Sequence, residues 1–321
     1  MSKQPFVLQR ENGAPTSPKI TVSEETDKAL CDIAAKEEAV LLAFIGPYRG
    51  LIVSPVHILR PEIGIEDEFG IETAIKDIKE KRPDIKKLYL LVNSMGGGMS
   101  SSYKVARALR TNFDNITAFV PHIAASGGTL IAVCANQIVM GLMSQLSPLD
   151  VQIPYAGTSV SVNSFIFSYR RWKAELATTL PEAISYPDKH LVDELDPIIQ
   201  EEVASIIATG VNYVEEILTL AGYKEAKDIA YKLTFDLGVH SQVIHYDLAK
   251  RIGLNVEPDE KSVELWDMMR KWLREYLYNP AGTNFIKYVI PLKPTIDKEK
   301  KKDTVTTKEV GRANIKETPQ H

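Results

Sequence analysis

"LYLLVNSMGGGMSSSYKVARALR", residues 88–110, joins an apolar run to a helix-forming run through three consecutive glycines. Leu88–Val92 is apolar without alternation, which suits a strand covered on both faces. Gly96, Gly97 and Gly98 then allow backbone N–H groups to approach a bound group with no Cβ in the way. The same grammar returns in "NITAFVPHIAASGGTLIA", residues 115–132, where Ser126 precedes Gly127 and Gly128 at a strand-to-helix junction. Strand, glycine turn and helix, twice over, predict right-handed βαβ units in an α/β fold with a parallel sheet.

The flanking sequence extends this pattern. "AVLLAFIG" (39–46) reads as a further buried strand and "NQIVMG" (136–141) as a short one. Ser23 with the acids after it marks a helix start in "SEETDKALCDIAAKEEA". Ile71, Ala74, Ile75 and Ile78 share one helical face, and Pro83 ends that helix. From about residue 161 the spacing turns helical. "VELWDMMRKWLREYLY" carries Leu265, Trp266, Met269, Trp272, Leu273 and Tyr276 on one broad face, for packing within the subunit or against another. The chain therefore divides into a flexible arm (1–20), a main domain (21–257), a C-terminal helix and interaction segment (258–291) and a tail (292–321). The tail has eight Lys or Arg, five Asp or Glu and no aromatic residue, a composition that predicts disorder.

Composition excludes several classes. A formal net charge of −4 over 321 residues gives no electrostatic basis for binding nucleic acid. The two cysteines, Cys31 and Cys134, have no metal-ligand spacing and read as buried free thiols. The N-terminal stretch lacks an apolar signal core, and "AVLLAFIGP" is too short to span a bilayer, so a soluble cytoplasmic protein is expected. No cofactor or metal is expected.

Both glycine turns fall outside the carboxyl ends of parallel strands, where open α/β sheets bind ligands. "GGGMSSS" matches neither the P-loop nor the dinucleotide fingerprint. Ser126 is then either a helix cap or a nucleophile. The nucleophile reading requires N–H donors for an oxyanion, and the two turns can supply them.

Together "LYLLVNSMGGGMSSSYKVARALR" and "HIAASGGTLIAVCANQIVMGLMSQLSPLDVQI" resemble the Clp-fold serine peptidases, within the ClpP/crotonase-like fold. The likeness is greatest to the serine dehydrogenase proteinase branch, near the signal-peptide peptidase-like enzymes. It continues through "DELDPIIQE", "ILTLAGY" and "LTFDLGVHSQVIHYDLAKRIGLNVE", covering residues 38–257 and implying a parallel sheet core with a helical C-terminal half. The resemblance implies a serine endopeptidase with Ser126 as nucleophile. It gives the Gly127 N–H, with that of Gly96 or Gly97, as the oxyanion donors. It also implies a peptide or protein substrate and a homo-oligomer. The chain has no ATPase motif, so energy-dependent unfolding would need a separate ATPase or adaptor.

The general base is the departure from the pattern. Clp-type peptidases use a histidine about twenty-five residues after the serine, and this chain has Asp150 and Gln152 in that region. The signal-peptide peptidase-like relatives use a lysine, which can act as base once desolvation lowers its pKa. Lys173, 47 residues after Ser126, is the expected base, with Lys189, His122 and His240 as alternatives. A degenerate base would leave a scaffold protein. A crotonase-type acyl-CoA enzyme, which needs no serine at this elbow, ranks below both.

Overall fold

Val40, Leu42 and Phe44 point to one side of their strand and Leu41, Ala43 and Ile45 to the other, and all six are fully buried. That two-sided burial organises the whole chain, because successive strand residues face opposite ways. In the computed structural model the described residues are 23–54, 57–59, 61–155, 158–180, 183, 185, 190, 197–237, 240–278, 282–291 and 306–310.

A helix α1 (Glu24–Glu37) leads into β1 (Val40–Ile45) and the hairpin β2 (Leu51–Ser54) and β3 (His57–Leu59). Then come α2 (Ile65–Lys81), β4 (Lys87–Asn93), α3 (Met99–Asn112), β5 (Asn115–Val120), β6 (Ile123–Ala124), α4 (Gly127–Ala132) and β7 (Gln137–Met140). Short strands β8 (Gln145–Leu146), β9 (Gln152–Tyr155) and β10 (Thr158–Ser161) precede helices α5 (Val162–Ala177), α6 (Pro197–Leu220) and α7 (Ala226–Tyr231). The chain ends with α8 (Tyr246–Ile252), β11 (Val256–Pro258), α9 (Val263–Leu277), β12 (Phe285–Ile290) and β13 (Thr306–Val310).

The main sheet has seven strands in the order β11-β7-β5-β4-β1-β12-β13. From β11 to β1 the pairings are parallel, as the sequence predicts; β12 and β13 add antiparallel partners beyond β1. On one face α2, α3 and α4 pack with the C-terminal part of α6 over Leu42, Leu88, Leu90 and Val92. On the other face α1 and α9 cover Leu41, Tyr89, Leu91 and Phe119. Ser23 caps α1 by accepting from the Thr26 N–H at 3.2 Å, as expected.

Three sequence expectations meet the structure here. The α9 stripe is used within the subunit: Trp266, Met269, Trp272 and Tyr276 are all at most 4% exposed in the second core. The charged tail is not uniformly without structure, since Thr306–Val310 pairs with Phe285–Ile290; the rest of 292–321, like the arm 1–20, lies outside the described residues. The backbone of β12, which already carries its own apolar run, supplies the pairing that the tail's composition alone does not announce. Among the described residues one helix, Gln200–Leu220 within α6, is long and apolar enough by length and composition to cross a membrane, with a mean hydropathy of 1.3. Glutamates break up its apolar runs in the sequence. Its C-terminal half packs as a core helix, with Val214, Ile217 and Leu218 buried and Tyr213 stacked on Tyr103 of α3.

Cys134 is fully buried, with its thiol pushed up to about 12 by burial, while Cys31 is only partly covered. Neither forms a disulfide.

Candidate active site

Ser126 stands in the N-cap position of α4, yet its side chain makes no capping hydrogen bond. Its backbone has φ 48° and ψ −122°, a conformation that costs a non-glycine residue about 1–3 kcal/mol. Buried polar contacts hold it there. The Ser126 N–H donates to Ser147 Oγ at 2.7 Å. Thr129 Oγ1 accepts from the Ser147 N–H at 3.0 Å and turns its own hydroxyl toward the carbonyls of Ala124 and Ser147, at 2.7 and 2.9 Å. The result is a sharp strand-to-helix elbow with the serine at its tip, half-exposed while Gly127 and Gly128 behind it are buried.

The two glycine turns are hydrogen-bonded to one another. Ser94 N–H donates to the Ile123 carbonyl, and Ala125 N–H to the Ser94 carbonyl, each at 2.9 Å. Ile63 straps the first turn, giving its N–H to Gly96 O at 2.9 Å and accepting from the Gly98 N–H at 2.8 Å. The Gly96 N–H goes to Ser94 Oγ at 3.1 Å. Among the described residues this leaves the Gly97 N–H without a partner, and the Gly127 N–H likewise. The geometry thus separates Gly96 from Gly97, which the sequence could not do.

The glycines are required by space as well as by N–H access. A Cβ on Gly97 (φ +153°) would lie 2.1 Å from the Ile63 nitrogen, and one on Gly96 (φ +103°) would lie 2.7 Å from Ser126 Cβ. On Gly127 it would meet Ser102 Oγ at 2.1 Å.

Gly97, Ser126 and Gly127 line a cavity of about 170 Å³ together with Asp150 and Gln152. Its apolar walls come from Met99, Leu130, Leu149 and Val151. Asp150 is buried, and each carboxylate oxygen is engaged: Oδ1 by His240 Nδ1 at 2.7 Å, Oδ2 by the Gln152 amide at 2.7 Å. A carboxylate only accepts, so the imidazole proton sits on Nδ1 and leaves Nε2 as the acceptor of the neutral ring.

The chain segments behind this pair are fixed from two sides. Residues Lys232–Asp236 form a π-helical turn after α7, which presents carbonyls outward. The Leu149 N–H donates to Leu233 O at 2.8 Å, and the buried Asn163 amide donates to Thr234 O at 2.7 Å.

His240 does not itself line the cavity and meets it through Asp150. Of the other expected bases, Lys173 does not line it either and is exposed on α5, with no hydrogen bond or ion pair, among the described residues, to one that does. Lys189 lies outside the described residues. His122 is half-buried, with its Nδ1 hydrogen-bonded to the Tyr48 hydroxyl and the two rings edge to face. Burial holds the His122 pKa below its ordinary value and raises that of Tyr48. Asp150 was visible in the sequence only as the residue standing where a histidine was expected. Its partner is 90 residues away, so no local spacing could announce the pair.

Among curated relatives, two uncharacterised proteins of Methanocaldococcus jannaschii are similar to this chain. One is 25% identical over 253 residues, 77% of this chain and 79% of its own length. The other is 28% identical over 244 residues, 75% of this chain and 72% of its own length. Among solved structures, a mutant of the 1510-N membrane-bound stomatin-specific protease aligns with a TM-score of 0.41 at 12% identity, over 65% of this chain and 80% of that one. A second mutant of that protease, in complex with a substrate peptide, gives 0.41 at 14% identity, over 64% and 74%. The model of the ClpP-like SDH-type serine proteinases matches residues 17–304. With that match spanning most of its length, the chain belongs to the ClpP-like SDH-type serine proteinase family.

Proposed function

We propose that this protein is a serine peptidase that cleaves peptide bonds through an acyl-enzyme on Ser126, with His240 as general base and Asp150 as its orienting acid. The observation that carries this reading is the pair of unpartnered N–H groups, Gly97 and Gly127, lining one cavity with Ser126 and with the carboxylate that holds His240.

In this mechanism Ser126 Oγ attacks the scissile carbonyl carbon, and its proton passes to His240 Nε2. Asp150 stabilises the imidazolium that forms and keeps the ring in the right tautomer. The carbonyl oxygen, now an anion, accepts from the Gly97 and Gly127 N–H groups. Collapse expels the amine, which takes the proton from His240. Water then repeats the sequence on the ester and regenerates the serine. Gln152 completes the hydrogen bonding of Asp150, which is otherwise a buried charge facing only one partner.

A fluorophosphonate probe, which reacts with an activated serine hydroxyl, tests the assignment. Ser126→Ala is expected to abolish labelling. His240→Ala is expected to slow labelling and peptide hydrolysis by roughly 10³-fold or more, and Asp150→Asn by a comparable factor. Lys173→Ala is expected to label at the wild-type rate. An unlabelled wild type would overturn the peptidase reading. Loss of labelling in Lys173→Ala with retention in His240→Ala would replace the histidine by a lysine base.

A further inference from the structure

Resting on the peptidase reading, we infer that the cavity beside Ser126 is the subsite for the side chain on the acyl side of the scissile bond, and that Gly210 of α6 sets its depth. The subsite takes an apolar side chain of about leucine or phenylalanine size.

The argument starts from where the reacting carbonyl must sit. Ser126 Oγ and the Gly97 and Gly127 N–H groups fix its carbon and oxygen, so the adjoining side chain falls within one residue's reach of them. The walls available at that distance are Met99, Leu130, Leu149 and Val151, all apolar. The polar groups there, Asp150 and Gln152, are committed to each other and to His240. An acidic side chain would therefore lose its hydration beside the Asp150 carboxylate, and a basic one would have to compete with Gln152 and His240 for that carboxylate. The volume, about 170 Å³, resembles that of an apolar cavity of roughly 150 Å³ able to hold a benzene ring.

Gly210 stands behind this wall. It is buried in a stretch of α6 whose neighbours Ala208, Thr209 and Asn212 are exposed. Glycine in a helix interior costs about 0.5–1 kcal/mol relative to alanine, so propensity does not account for it. Space does. A Cβ at 210 would lie 3.3 Å from Met99 Cε, 3.4 Å from Met99 Sδ and 3.7 Å from Val151 Cγ2. Met99 and Val151 are two of the four apolar walls. The flexible thioether is the part that must yield, and with α6 behind it, it yields into the cavity. A larger side chain at 210 therefore makes the subsite shallower without touching Ser126, His240 or the oxyanion donors.

The test uses the full chain and peptides that differ only at the acyl-side residue: Ala, Leu, Phe, Lys and Asp. Wild type is expected to favour Leu and Phe. Gly210→Leu is expected to lower kcat/KM for Leu and Phe relative to Ala by about tenfold or more, the scale on which one methylene in an apolar pocket discriminates. Met99→Ala should move the preference the other way, toward Phe. Gly210→Ala, which demands only a small shift of the thioether, guards against a variant that fails to fold and should narrow the Leu-to-Ala ratio by a smaller factor. An active enzyme whose acyl-side ratios stay the same in both Met99→Ala and the 210 variants would overturn the subsite assignment. Failure of the peptidase reading is a different result: no peptide is hydrolysed and the wild-type serine is not labelled.

Discussion

Ser126 adopts a backbone conformation that a side chain rarely takes, and the residue most directly holding it there is Ser147, whose hydroxyl receives the Ser126 N–H at 2.7 Å. Removing that acceptor leaves a buried N–H unpaired, at a cost of about 1–3 kcal/mol. Ser147→Ala should lower the urea midpoint accordingly. It should also slow fluorophosphonate labelling by roughly tenfold to a hundredfold, because a small displacement of a nucleophile is costly. Labelling at the wild-type rate would mean that the glycines and the helix behind them hold the elbow unaided. The serine and its glycines were legible in the sequence, since both turns place small residues where strands end. The choice between cap and nucleophile was not, because it depends on whether the side chain turns back to the helix, and here it does not. Nor was His240 separable from the other bases. A lysine or histidine in a helical half is one of many until folding brings one beside a buried carboxylate.

At the scale of elements, periodicity identified α9 and its apolar face but could not say what covers it. A helix stripe looks the same whether it faces its own sheet or another subunit. The cover is internal: Trp272 and Met269 are fully buried against the β1 face together with Leu30 and Ala34 of α1. Trp272→Ala should therefore destabilise the fold by about 3–5 kcal/mol, the range for emptying a large aromatic site. The milder Trp272→Phe should keep the native mass seen by light scattering. A folded variant of lower mass would instead make this face an interface. The strand β12 escaped the sequence reading because "FIKYVI" is not followed by the glycine turn and helix start that mark β4 and the elbow. Its antiparallel pairing with β1 is set by contacts from the far end of the chain.

Across the whole molecule, two cores on opposite faces of one sheet are joined near the carboxyl end of β1 by the Tyr48–His122 contact. Tyr48 is tied to α9, its N–H donating to Leu277 O at 2.9 Å. His122 directly precedes β6, the strand leading to Ser126, and is tied to β8, its carbonyl accepting from the Gln145 N–H at 2.8 Å. Burial lowers the pKa of His122, and the neutral ring is the form whose Nδ1 accepts the Tyr48 hydroxyl. Because the folded value lies below the unfolded one, the unfolded chain takes up the proton first as pH falls. The stabilisation from this group is thus present above its ordinary value of about 6.5. It is lost progressively as pH falls from there through the lower folded value. His122→Asn removes the titrating group, so unfolding free energies measured in urea between about pH 4.5 and 7.5 should show a shallower pH slope than wild type. Tyr48→Phe keeps the histidine and removes its hydroxyl partner; it should lower stability at neutral pH, by about the net worth of one hydrogen bond, and lose that deficit as the ring protonates. Parallel pH curves for wild type and His122→Asn would show that the contact joining the two faces does not sense the proton.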